Sequence, residues 1–260
     1  MNIVVCLKQV FSTEAKIRLA PVGKSVIEDQ VEWIVNPYDE FAIEEALKIR
    51  EAKGGGSITA ITIGPDRCAT ILRSAMALGV DKALHLKDPL FESLDALGTA
   101  HVLAAAIKKL SADIILFGKQ GVGMDQGMVQ AMVAEILDLP LANIVTKVTI
   151  DGNTARCLRE VDDGAEVVDC ALPVVISTQK GLNEPRMANL KGIMAAKKKP
   201  IDVWTTEDLG LDAAFLGSPT LVHEKYELPP PRTAGKILQG TPEEAARELV
   251  ALLRNDARVI

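Results

Sequence analysis

The residues best suited to chemistry lie in Asp113-Ile-Ile-Leu-Phe-Gly118-Lys119-Gln120-Gly121-Val122-Gly123-Met124-Asp125-Gln126-Gly127, where an apolar run breaks into glycines and continues as Met128-Val129-Gln-Ala-Met-Val-Ala-Glu-Ile-Leu. Glycines at a strand-to-helix junction let backbone N–H groups approach an anion, which the unpaired amides and positive dipole end of the helix favour. The segment lacks a dinucleotide fingerprint after the first strand and the Gly-Lys-Ser/Thr ending of a P-loop. Taken alone, these residues leave two readings open, an anion site and a tight turn. Asp125 could orient a ribose or a phosphate-bound water, but capping the following helix is the better account of it.

A second unusual stretch is Leu182-Asn-Glu-Pro-Arg186-Met187-Ala-Asn-Leu190-Lys-Gly-Ile193-Met194-Ala195-Ala-Lys-Lys-Lys-Pro200, with five basic residues against one acidic between 183 and 199. One reading is a short core helix whose lysine-rich end suits the helix dipole. The other is a docking peptide, with an adaptable Met-containing anchor and charges that steer an acidic partner.

Other chemistries find little support. Ser12, Ser25 and Ser57 lack a nucleophile elbow, and His85, His101 and His223 lie far apart. Cys6, Cys68, Cys157 and Cys170 show no CxxC spacing, so neither a metal site nor a disulfide framework is expected. The net charge of −6 argues against a general nucleic-acid binder. No secretory signal precedes Ile3-Val4-Val5-Cys6-Leu7, and the apolar runs fall far short of the roughly 20 residues of a membrane helix, so a soluble, cytoplasmic protein without membrane insertion is expected.

The elements that must position these residues follow from the hydrophobic pattern. Apolar runs at 3–7, 58–63, 83–86 and 113–117 read as strands, and amphipathic stretches at 37–53, 65–78, 93–110 and 124–138 as helices, an alternation that calls for crossover units and a parallel sheet. At Asn36-Pro37-Tyr38-Asp39, Asn36 is placed to cap a helix, Pro37 suits its first position and Asp39 its positive first turn. Gly64-Pro65 opens the next helix and Gly79 ends it. Beyond residue 143 the β-rich pieces 144–150, 154–161, 165–171 and 173–178, with Asp151-Gly152-Asn153 and Asp162-Asp163-Gly164 between them, predict an antiparallel extension. From Pro200 onward, a Pro-rich 228–231 and an amphipathic 241–254 predict an arm that needs a partner surface.

From Ile3 to about residue 205 the chain resembles the beta subunit of electron transfer flavoproteins. The residues that carry this resemblance are Arg159-Glu160-Val-Asp-Asp-Gly-Ala-Glu166, Leu172-Pro-Val-Val, Leu182-Asn-Glu-Pro-Arg186, Ile193-Met194 and Lys197-Lys-Lys-Pro-Ile201. Leu7-Lys8-Gln9-Val10, Asn36-Pro37, Glu44-Glu45-Ala46-Leu47 and Gly118-Lys119-Gln120 add to it. It implies a doubly wound, Rossmann-like α/β domain over 1–200 and a C-terminal arm over 201–260 that packs on an alpha subunit bearing the redox-active FAD. It also implies a nucleotide in this subunit, AMP in ordinary members or a second FAD in electron-bifurcating ones that oxidise NADH.

By the same resemblance the pocket involves Cys6, Asn36 to Asp39, Ile63 and Gly118 to Val129. A flavin dehydrogenase, commonly of the acyl-CoA type, would dock on Arg186 to Ala195, through Met187, Ile193, Met194 and an anchoring Leu190, and the electrons would pass to a quinone oxidoreductase or another acceptor. Glu160 matches a glutamate at the interface with the flavin domain, and Thr13 one near the alpha-subunit flavin. The chain departs from many relatives at Phe11-Ser12, where they have Pro-Asp, and at Met128, Met187 and Lys191, where they have Gln, Tyr and Pro. A stand-alone ATP-binding stress-type protein is the rival from another class, weakened by the basic loop and the arm.

Overall fold

A computed structural model describes residues 1–29, 31–231 and 234–260. In chain order its elements are β1 (Asn2–Leu7), β2 (Gln9–Phe11), β3 (Trp33–Val35), α1 (Pro37–Ala52), β4 (Ser57–Ile63), α2 (Ala69–Leu78), β5 (Lys82–Leu86), α3 (Ala96–Leu110), β6 (Ile114–Gly118), α4 (Val129–Leu137), β7 (Leu141–Asp151), β8 (Thr154–Val161), β9 (Gly164–Ala171), β10 (Val174–Thr178), α5 (Leu190–Lys198), β11 (Asp202–Trp204), α6 (Thr206–Leu209), α7 (Ala213–Leu216) and α8 (Pro242–Asn255). Short 3-10 turns lie at Asp66–Cys68 and Pro89–Phe91.

The main sheet has nine strands in the order β11-β5-β4-β1-β6-β10-β7-β8-β9. All neighbours from β11 to β7 run parallel, and β7, β8 and β9 form the antiparallel extension. The fold is therefore doubly wound α/β. Strand β10 departs from the hairpin expectation: it lies between β6 and β7 and parallel to both, because Val174, Val175 and Ile176 are buried on both faces as an interior strand requires.

The period of two explains the layers. In β1, Ile3, Val5 and Leu7 face a core shared with α1 and α2, while Val4 and Cys6 face the one shared with α3 and α4. Ile114 and Leu116 of β6 divide from Ile115 and Phe117 in the same way. The sheet starts at β1, grows outward through β4 and β5, and resumes at β6 on the other side of β1. Between the carboxyl ends of β1 and β6 the crossovers diverge, which opens a crevice where ligands of such folds bind.

Two compact units can be separated. The first comprises Met1–Arg18 and Ile27–Glu224, so the segment 201–224, including β11, belongs with the sheet. The second comprises Leu19–Val26 and Lys225–Ile260. In it, a bridge joins Leu19 to Val26, Tyr226 N donates to Gly23 O at 2.7 Å, and α8 carries a Thr241–Glu244 capping box with no buried residue. No helix among the described residues is long and apolar enough to cross a membrane.

Candidate functional site

The crevice beside β1 and β6 is a cleft of about 560 Å³, within the range of small-molecule and cofactor sites. Its floor is set by Asp39, in the first turn of α1 and almost fully buried. One carboxylate oxygen accepts from Asn36 Nδ2 at 2.8 Å and Gly118 N at 3.1 Å, and the other from Lys8 N at 2.7 Å. A single side chain thus pins the end of β1, the start of α1 and the end of β6. Gly118 is required for this approach: a Cβ there would stand 2.3 Å from Asp39 Oδ1 and 2.7 Å from Tyr38 Cβ. Burial pushes the Asp39 carboxyl up to about 7, against the opposing pull of its three donors and of Lys8.

Asn36 does not cap α1 with its side chain. It spans instead to the loop after β6, donating to Gln120 O at 2.9 Å and accepting from Val122 N at 3.1 Å. Asp125 does not cap α4 either: its φ is 49° and it accepts from Gln120 Nε2 at 2.8 Å. With Gly123 at φ 91° and Gly127 at φ 59°, the backbone is left-handed at alternate positions, so the expected helix from 124 begins only at Val129. The result is an irregular loop leading into the unpaired amides at the α4 N-terminus. Met128, Val129 and Gln130 of that end line the cleft, and Gln130 Nε2 ties the loop by donating to Lys119 O and Gly127 O, both at 2.8 Å.

Of the residues expected in the pocket, Cys6, Asn36, Asp39, Ile63, Gly118, Gln120, Gly121, Met124, Gln126, Gly127, Met128 and Val129 line this one cleft. Pro37, Tyr38, Lys119, Val122, Gly123 and Asp125 stand outside its lining. Tyr38 O accepts from Thr178 Oγ1 at 2.9 Å, and the Lys119 ammonium lies 5.0 Å from the Tyr38 ring. Sequence reasoning missed Lys8, the Phe91–Asp95 turn with Thr99 and Leu103 of α3, and Pro219, Leu221, Val222 and His223. Lys8 remains accessible, yet the cleft walls lower its ammonium pKa while Asp39 and Asp125 act to raise it. It supplies a cation beside the glycine loop.

The 183–199 segment is built differently. Asn183 Nδ2 donates to Phe41 O at 3.0 Å and Glu45 Oε2 at 2.9 Å. Arg186 forks onto Glu44 at 2.8 and 2.9 Å and onto Glu51 at 2.6 and 3.1 Å, so α1 holds it on a row of its own carboxylates. Gly192 lets α5 touch α2, since a Cβ would lie 2.3 Å from Ala77 O, and Arg73 Nη1 donates to Ala196 O at 2.6 Å and to Lys199 O. Ala196 is the sole buried residue of α5, which excludes the core-helix reading. Met187 (95% exposed), Leu190 (76%), Ile193 and Met194 are all open to solvent. Thr13 is exposed in the turn after β2, and Glu160 of β8 accepts from Gln179 Nε2 at 3.1 Å; neither lines the cleft.

The electron transfer flavoprotein domain model matches residues 24–209. A Bacillus subtilis protein named electron transfer flavoprotein subunit beta is 42% identical over 262 residues, covering 100% of both chains. Proteins of the same name are 38% identical in Clostridium acetobutylicum, covering 98% of this chain and 99% of the relative, and 36% identical in Homo sapiens, covering 100% and 99%. The chain belongs to the electron transfer flavoprotein beta-subunit family. In that family setting the pinned cleft and the solvent-facing α5 are two separate candidate sites on one α/β scaffold. Among the described residues no group of three or more His, Cys, Asp or Glu could hold a metal ion, and all four cysteines are buried and free.

Proposed function

We propose that the chain is the beta half of a heterodimeric electron carrier: it holds an adenine nucleotide in the cleft, packs its C-terminal arm on an alpha subunit, and receives a flavin dehydrogenase on the 186–195 segment. The alpha-subunit FAD supplies the redox chemistry, and this chain contributes binding and orientation. The observation that carries the reading is the convergence of the end of β1, the start of α1 and the end of β6, pinned by Asp39, on one cleft that holds a lysine and a helix N-terminus. The loop suits a phosphate because Gly121 and Gly127, which line the cleft, carry no side chain to keep an anion from the backbone. Phe91, Leu103, Phe117 and Leu221 supply an apolar wall suited to an adenine ring.

Electrons would leave through a quinone-linked oxidoreductase or another acceptor after release of the donor. Co-expression with the alpha subunit, followed by extraction and counting of bound nucleotides, tests the assignment. One FAD and one AMP per heterodimer are expected. Two FAD would instead make the cleft a flavin site and the protein an NADH-oxidising bifurcating type, and a monomer that hydrolyses ATP without a flavin partner would overturn the assignment.

A further inference from the structure

Chain that follows the sheet returns across α3 to reach the cleft, and two aspartates fasten it. Asp88 accepts from Leu90 N at 3.0 Å with one oxygen, capping the Pro89–Phe91 turn, and with the other from Thr206 N at 3.1 Å. Asp95 repeats the device. Its Oδ1 caps α3 by accepting from Gly98 N at 2.8 Å, while Oδ2 accepts from Thr220 N at 2.7 Å, Thr220 Oγ1 at 2.6 Å and Leu221 N at 3.2 Å. Between the two fastenings Leu209 and Leu216 are buried in the α3–α4 core, so the returning chain is seated along its length. Around the second fastening, Pro219, Leu221, Val222 and His223 line the same cleft as the glycine loop, with Leu221 and Val222 half or more exposed.

We propose that Pro219–His223 is a strap across the mouth of the nucleotide cleft, latched by Asp95 and Thr220, whose apolar side chains cover a bound adenine nucleotide and set how slowly it leaves. The inference rests on the nucleotide reading above. A latch of this kind needs an acceptor that stays ionised, and the donors of Gly98 and Thr220 hold the Asp95 carboxyl down to about 2. It needs side chains with no other packing role, which the exposure of Leu221 and Val222 provides. Asp95 acts through the strap and is a positioning residue; the contacts to ligand fall to Leu221 and Val222.

Exchange of bound radiolabelled AMP against excess unlabelled AMP, in the purified heterodimer, reads the strap directly. Thr220→Val removes the hydroxyl donor but keeps the α3 cap, and Leu221→Gly keeps the amide donor but removes the apolar wall. Each should release AMP about tenfold faster, about the worth of one hydrogen bond or one apolar contact, with the fold retained. In the wild-type protein, AMP should slow hydrogen exchange at the Thr220 and Leu221 amides, a readout that needs no variant. Wild-type protein that retains AMP while both variants release it at the wild-type rate, with amide exchange at 220–221 indifferent to AMP, overturns the strap and leaves the nucleotide reading standing. Wild-type protein that retains neither AMP nor FAD overturns both.

Discussion

The cleft and the 186–199 segment lie on the same α/β unit but are made specific by opposite means. The cleft is backbone held by buried side chains: Asp39, Asn36 and Gln130 are almost fully enclosed, Asp39 and Asn36 accepting from the Gly118 and Val122 amides and Gln130 donating to the Lys119 and Gly127 carbonyls. The 186–199 segment is side chains held by ion pairs at its base, with its apolar residues left outside. A ligand site that must close around one small molecule benefits from the rigidity that burial confers, whereas a docking face benefits from side chains that can adapt. Perturbations should therefore separate the two regions cleanly.

The largest difference is expected from one substitution type applied to both. Leu116→Ala, in the middle of β6 with no exposed surface, should lower unfolding stability by about 2–5 kcal/mol in urea denaturation, through lost transfer energy plus a cavity. Nucleotide affinity should fall with it, since β6 delivers Gly118 to the cleft. The same change at Leu190 should move stability by no more than about 0.5 kcal/mol.

Next in size is the pH dependence of the pinned junction. The folded Asp39 carboxyl is raised to about 7 from an ordinary value of 3.8, so the folded state binds its proton more tightly than the unfolded state does. The contribution to stability is therefore fully present below about 4, declines as pH rises towards 7, and is flat above. A difference of that size between the folded and unfolded carboxyl corresponds to an upper bound of about 4 kcal/mol. Asp39→Asn should remove that slope when unfolding is compared at pH 5 and pH 8, and a slope that persists would assign it to other groups.

These regions also differ in how far the sequence discloses them. The runs at 3–7 and 113–117 read as strands because their apolar residues, 3–7 and 114–117, are buried on both faces, and Pro37 and Gly79 mark real helix ends. Helix α4 starts later than expected because 124–128 is compatible in composition with a helix, while its left-handed backbone at Asp125 and Gly127 is a property of the folded loop. Lys8 and the 219–223 strap escape the sequence for a related reason. Lys8 meets Asp39 across 31 positions and Thr220 meets Asp95 across 125, and a lone lysine after a strand or a Pro-Thr pair in a polar stretch has no local periodicity to betray its partner. Resemblance to the family marks the glycine loop and the 186–195 stretch. It does not mark the walls that tertiary contacts bring to them.

A smaller effect is expected at the base of the 186–199 segment. Glu44 is largely buried and Arg186 about one-third exposed, so their fork is partly screened. Arg186→Lys keeps the charge but loses the bidentate geometry across Glu44 and Glu51, and should cost about 1 kcal/mol in stability. Its sharper consequence should be a raised KM for the electron-donating dehydrogenase with bound nucleotide unchanged, because the loop loses its fixed angle to α1.

The smallest effect on stability belongs to Leu190, and it is the most informative about function. Because three-quarters of its surface is exposed and only Ala196 of α5 is buried, Leu190 contributes almost nothing to the fold, yet it stands at the α5 N-terminus between Met187 and Met194. An apolar side chain left outside in this way gains its burial only in a complex, about 1.5–3 kcal/mol for a leucine. Leu190→Ala should thus weaken donor docking roughly 10- to 100-fold in KM while urea unfolding and nucleotide content match the wild type. Unchanged donor kinetics would remove the docking role from α5. If KM rises and the nucleotide is lost as well, the two regions are coupled, and the separation drawn between them fails.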